Sequence, residues 1–186
     1  MKFKKDITFI ICKSDGQSNF PDVGKYENLK GITQLVSKPY DVSGPGQSRQ
    51  VGLDWICSNN EIKEDDWVVF FDIDDKLAEN SSLSLAIKMM DTCKDYDALE
   101  FLAQNVYPDK EPTLVDWFTQ HYAVWSNAYK LKSIIDYKIR FPDNLLSYED
   151  FFFNYCIDSI ADCKRIGVRD VLLYSYIRRV SSTGQE

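Results

Sequence analysis

The chain has 186 residues, 44% hydrophobic and 14% aromatic, and a formal charge of −7, enough apolar material to give one domain, expected over 1–186, a substantial core. The acidic balance argues against generic binding to nucleic acid or an anionic membrane, both of which reward a broad positive face. Five cysteines without a CxxC spacing, no apolar leader after Met1, and no apolar stretch near the roughly twenty residues of a membrane span predict a reduced, cytoplasmic chain with neither a disulfide framework nor a membrane span.

In chain order, Ile7 to Cys12 is a β-branched, apolar run that ends in the polar turn Ser14-Asp15-Gly16-Gln17-Ser18-Asn19, a buried strand entering a loop. The loop Val42-Ser43-Gly44-Pro45-Gly46 precedes a helix over Gln47 to Cys57, with Val51, Trp55 and Ile56 expected on its apolar face. Trp67 to Phe71 is a continuous apolar run, the pattern of a strand covered on both sides. Ser81 or Ser82 caps a helix reaching Cys93, with Leu83, Ile87 and Met90 as its core stripe. Asp97 to Leu102 reads as a strand, Asn127 to Ile135 as a helix, and Tyr148 to Cys163 as a longer helix. Such alternation predicts an α/β domain with a mostly parallel, Rossmann-like sheet flanked by helices.

The chemistry concentrates after the strongest strand. Phe70-Phe71-Asp72-Ile73-Asp74-Asp75 puts three carboxylates at a strand's carboxyl end, the edge where open α/β sheets bind ligands. Carboxylates one residue apart suit a hard cation, Mg²⁺ or Mn²⁺, although acidic residues also fill ordinary turns. Gly44-Pro45-Gly46 before Arg49 either lets backbone amides approach a phosphate or simply launches a helix. Arg178 and Arg179, with Ser181 and Ser182, are suited to fold over a diphosphate, against the plainer reading of solvated terminal charges. His121 is the lone histidine and reads as an ordinary, partly buried one. Trp117, Phe118, Tyr122 and Trp125 suit either a core or a platform for a sugar ring.

Four segments in order resemble the inverting GT-A glycosyltransferases of the large family two, which includes bacterial polysaccharide and capsule enzymes. Ile10 to Asn19 is similar to that family's strand and Asp-Asp-Gly-Ser-x-Asp loop, with departures at Ser14 and Asn19. Gly44 to Leu53 is similar to its glycine-rich lead into Ala-Arg-Asn-x-Gly-Leu, with Gln50 in place of asparagine. Phe70 to Asp75 resembles Phe-Leu-Asp-x-Asp-Asp, and Arg140-Phe141-Pro142-Asp143 through Glu149-Asp150 resembles Arg-Phe-Pro-Glu-x-x-x-x-Glu-Asp. Trp125 to Leu131 and the tyrosine-rich, basic stretch Leu173 to Ser182 are also similar to the family's. The family's usual first strand-and-helix unit, or the one after it in another register, has no counterpart, so the nucleotide half is abbreviated.

The resemblance implies a metal-dependent transfer, with inversion, from a nucleoside-diphosphate sugar to an acceptor hydroxyl, a uridine diphosphate sugar being favoured. It implies Asp15 at the base, Asp72 at the ribose, Asp74 on the Mn²⁺ or Mg²⁺ with Asp75 supporting, and Asp150 as catalytic base. Arg49, Arg178 and Arg179 complete the expected donor-side set, and Glu149 is placed to bind an acceptor hydroxyl. Ser147-x-x-Asp150 before an apolar run is also a capping box, and the two roles of Asp150 stand side by side. A silent GT-A-like domain that binds a nucleotide sugar or glycan without turnover is the alternative. A glycan is the favoured acceptor, with protein, lipid or modified DNA also open.

Overall fold

A computed structural model describes residues 7–12, 32–37, 45–59, 65–72, 75–78, 80–143, 145 and 147–178. The described strands form an eight-stranded sheet of order β2-β1-β3-β7-β5-β8-β4, with β6 paired on the side of β5. These strands are β1 (Ile7–Cys12), β2 (Ile32–Ser37), β3 (Trp67–Asp72), β4 (Lys76–Leu77), β5 (Ala98–Val106), β6 (Thr113–Leu114), β7 (Asn127–Lys130) and β8 (Arg165–Ile177). The helices are α1 (Pro45–Asn59), α2 (Asn80–Thr92), α3 (Trp117–Tyr122), α4 (Leu131–Asp136) and α5 (Glu149–Asp158), with a 3-10 turn over Val124–Ser126.

The sheet is mixed, which corrects the expectation of a mostly parallel one. Strands β1, β2 and β3 are mutually parallel, and β5 is parallel to β8. Between these two groups β7 runs antiparallel to both β3 and β5. The segment expected to be helical from Asn127 therefore starts as a strand and turns helical only at Leu131. The cause is visible in the packing: Ala128 joins the core cluster of Trp67, Val69 and Phe71, whereas Tyr129 joins that of Val68 and Phe70. Neighbouring residues that bury on opposite sides of a sheet have a period of two, and no helix supplies it.

The β3 reading holds, since Trp67 to Phe71 are all buried, with alternate side chains feeding the two faces. Residues of α2 cover one face, and those of α1, α4 and α5 the other. Helix α1 presents Leu53 and Ile56 to the core, while Val51 and Trp55 are 42% and 43% exposed, contrary to the stripe expected from the sequence. Beneath its first turns lies an aromatic knot: Phe141 and Phe153 stack at 4.3 Å, and Phe70 meets them edge-on at 5.2 and 5.6 Å. Each such ring contributes about 1.5–3 kcal/mol by burial, and together they give the adjacent site a dry floor. No described helix is long and apolar enough to cross a membrane.

Candidate active site

Arg49 is the junction of the site. Its side chain is only 3% exposed, and its guanidinium reaches three carboxylates from two elements. Nη2 donates to Asp72 Oδ1 at 3.0 Å and Oδ2 at 3.3 Å, at the carboxyl end of β3. Nη1 donates to Glu149 Oε1 at 2.9 Å and to Asp150 Oδ1 at 2.5 Å, at the amino end of α5. A fork of fixed N–H directions can bind several carboxylates in this way, and a lysine cannot. The same guanidinium sits 5.9 Å from the Phe141 ring centroid, over the aromatic floor.

The close approach of α1 to α5 depends on Gly46. A Cβ there would lie 2.8 Å from Glu149 Cγ and 2.9 Å from Glu149 Cβ, so the glycine works here by its absent side chain. Gln50 adds a second tie: its Oε1 accepts from the Phe141 N–H at 2.9 Å, and its Nε2 donates to Asp54, which also pairs with Arg140. The departure from asparagine at this position thus anchors the Arg140 to Asp143 segment. Gly46→Ala is expected to cost about 1–3 kcal/mol, as overpacking typically does. It is also expected to push Glu149 off Arg49; urea unfolding together with a crystal structure of the variant checks both.

Asp150 does not cap its helix. The N-cap is Tyr148, in a left-handed conformation (φ 64°), without a side-chain cap bond. The Asp150 carboxylate instead turns to Arg49, and its Oδ2 accepts from the Val124 N–H at 3.4 Å. The capping-box reading of Ser147 and Asp150 is thereby replaced by a tertiary role. Burial pushes the Asp150 carboxyl up to about 7, with the negative charges of Glu149 and Asp72 adding to the shift and Arg49 opposing it. The direction follows from burial, which outweighs the attraction of Arg49.

At the turn after β3, Asp75 is buried and held by β8. Its Oδ1 accepts from the Ile177 N–H at 2.8 Å, and its Oδ2 accepts from the Tyr174 hydroxyl. The Asp72 N–H also lies 3.4 Å from that hydroxyl. The Trp125 ring stacks on Tyr174 at 4.8 Å and on Tyr176 at 6.0 Å. Arg178 is exposed just past β8, with its Nε bonded to Asn105 and its guanidinium over Tyr176. Sequence reasoning marked the tyrosine-rich stretch but not this brace; the tyrosines at 174 and 176, alternate positions of one strand face, were its available signal.

The structure thus joins Arg49, Asp72, Glu149 and Asp150 in one cluster, with Asp75 behind it. Asp15, Asp74 and Arg179 lie outside the described residues, as do Gly44 and the serines after Arg179. Among the described residues no group of three or more His, Cys, Asp or Glu side chains is arranged to hold a metal ion. Both Asp75 oxygens already have donors, so the described residues alone do not make a cation cage.

No protein-family model and no curated protein sequence matches the chain. Its fold does match solved structures of S. aureus TarS. Against TarS 1-349 in complex with UDP-GlcNAc the TM-score is 0.66 at 19% identity, covering 94% of this chain and 59% of that one. Against TarS 1-349 in complex with UDP it is 0.63 at 18% identity, covering 93% and 60%. A further S. aureus TarS structure gives 0.61 at 18% identity, with 93% of this chain matched to 37% of that one. The chain therefore spans less than two thirds of the length of the proteins it matches, and what it shares with them is the fold, a mixed α/β domain.

Proposed function

We propose that this domain transfers a sugar, with inversion, from a nucleoside-diphosphate sugar to an acceptor hydroxyl, a uridine nucleotide being the favoured donor. The observation that carries the reading is the convergence of Asp72 and Asp150, from distant stretches of chain, on one buried arginine. Two further facts support it: the four ordered sequence resemblances, and a fold shared with a protein crystallised with UDP-GlcNAc and with UDP.

In this reading the acceptor oxygen attacks the anomeric carbon in line with the bond to the diphosphate. A glycosidic bond forms, the bond to the leaving phosphate oxygen breaks, and the acceptor proton passes to Asp150. A carboxyl raised to about 7 is a better base at neutral pH than one near 4. Arg49 acts as a positioning residue, fixing Asp150 and Glu149 beside Asp72 and so aligning acceptor with donor. Glu149 then steadies the acceptor side, and Arg178, with Arg179 and Asp15, belongs to the donor side. A divalent cation held by Asp74 would neutralise charge on the departing diphosphate. Asp75 supports that position by holding the turn against β8 rather than by ligation.

The test is a thermal-shift comparison of UDP, GDP, CDP and ADP, each with and without Mn²⁺. A ligand that binds only the folded state at a hundred times its Kd adds about 2.7 kcal/mol, a rise of several degrees for a chain of this size. UDP with Mn²⁺ is expected to give that rise. Absence of a rise with every nucleotide contradicts the reading.

A further inference from the structure

A second cluster lies at the other end of α5. Asp158 is eight residues beyond Asp150, about 12 Å along the helix, and there a pocket of about 420 Å³ is lined by Glu100, Trp117, His121, Asp158, Arg165 and Arg169, among others. We propose that this pocket is a subsite for an uncharged sugar ring, which, given the transferase reading above, holds a distal part of a glycan acceptor whose reacting end lies at Asp150.

Three features point to that ligand. First, Trp117 is 54% exposed although its ring stacks on His121 at 5.0 Å, so the pocket keeps a flat aromatic surface of the kind that takes the C–H face of a sugar. Second, the polar wall is built and held in place. His121 Nδ1 lies 2.9 Å from Glu100 Oε2, and its Nε2 lies 3.2 Å from Asp158 Oδ2. Arg165 Nε donates to Asp158 at 2.9 Å, and Arg169 Nη1 donates to Glu100 at 3.2 Å. Arg169 reaches Glu100 by lying back over Gly167, where a Cβ would stand 2.8 Å from its Nε. Fixed donors and acceptors beside an aromatic face are what a polyol needs for orientation.

Third, the guanidiniums are already occupied. Each guanidinium of the wall has its own carboxylate, Arg165 on Asp158 and Arg169 on Glu100. A pocket for a phosphate or a uronate would keep a cationic excess, whereas here each guanidinium is already paired with a carboxylate. The side chains running from this pocket toward Asp150 are aromatic as well: Tyr122 packs on His121 at 4.7 Å and on Phe151 at 4.4 Å, and Phe151 directly follows Asp150. A few linked sugar rings would span that path.

The experiment is a glycan array carrying neutral and uronate-bearing oligosaccharides, probed with the wild-type chain, Trp117→Ala and Trp117→Phe. Neutral glycans are expected to bind, at least tenfold more weakly to Trp117→Ala, with Trp117→Phe near wild type. The thermal shift given by UDP is expected to be the same in Trp117→Ala and wild type, which also shows that the variant is folded. Failure of the wild type to bind any neutral glycan, preference for uronates, or undiminished binding by Trp117→Ala overturns the proposal. Trp117-dependent glycan binding without any nucleotide shift would uphold the sugar pocket and sink the transferase reading instead.

Discussion

Replacement of Arg49 by methionine is expected to lower the free energy of unfolding by about 3–5 kcal/mol at pH 8, the usual result of removing one partner from a buried ionic cluster. Asp72, Glu149 and Asp150 would then face one another without a counter-charge, over a floor of Phe70, Phe141 and Phe153 that excludes water. Loss of the cation, which opposes the upward shift of Asp150, raises that carboxyl still further. A carboxyl with a raised folded pKa carries a penalty that appears as pH climbs past its unfolded value, so the deficit is expected to shrink at pH 5, where protons replace the missing charge. Arg49→Lys is expected to fall between wild type and methionine, since it keeps the charge but loses the fork. Urea unfolding of the three proteins at pH 5 and pH 8 checks the ordering. Equal losses at both pH values would show that Arg49 acts by packing and not by charge.

Asp150→Asn is expected to reduce turnover of a uridine diphosphate sugar by about 10²–10⁴, the range for loss of a general base, while UDP binding stays near wild type. The wild-type kcat/KM is expected to rise with pH up to about 7 and then level off, because the base must shed its proton. The variant has no such step. Stability moves the opposite way. Between the unfolded carboxyl pKa near 4 and the folded value of about 7, the native state holds a proton that the unfolded chain has lost. Wild-type stability therefore declines as pH rises through that window, and Asp150→Asn flattens the decline. Binding that persists in both proteins with no turnover in either would favour the silent, ligand-binding alternative.

How far the sequence reveals this arrangement depends on the range of the interaction concerned. Strand β3 is legible because both of its faces are buried, which leaves a continuous apolar run bounded by acidic residues. Helix α2 is legible because Leu83, Ile87 and Met90 repeat at helical spacing and are all buried. Strand β7 is hidden by its neighbour: Leu131 and Ile134 carry a genuine helical pattern that extends backward into Asn127 to Lys130, and only the sheet separates Ala128 from Tyr129. The apolar face of α1 misleads for a related reason. Val51 and Trp55 look like core residues, yet the side of the helix turned inward is fixed by Arg49 and Gln50 reaching across to α5 and Phe141.

The site divides in the same way. Its residue types stand in ordered segments, so Arg49, Asp72, Glu149 and Asp150 can be picked out one at a time. Their connection cannot, because the partners of Arg49 lie 23, 100 and 101 residues away and no local pattern encodes them. The capping box at Ser147 and Asp150 shows the opposite hazard. There a valid local rule was outcompeted, since a buried guanidinium attracts a carboxylate more strongly than the exposed backbone amides of a helix end.

The most direct measurement is a crystal structure of the chain soaked with UDP and Mn²⁺. The diphosphate is expected beside Asp72, with the cation at Asp74 and the Asp150 carboxylate facing the space where the acceptor would stand. A nucleotide bound to another face of the sheet, with the cluster around Arg49 untouched, would contradict the assignment of this cluster as the site of transfer.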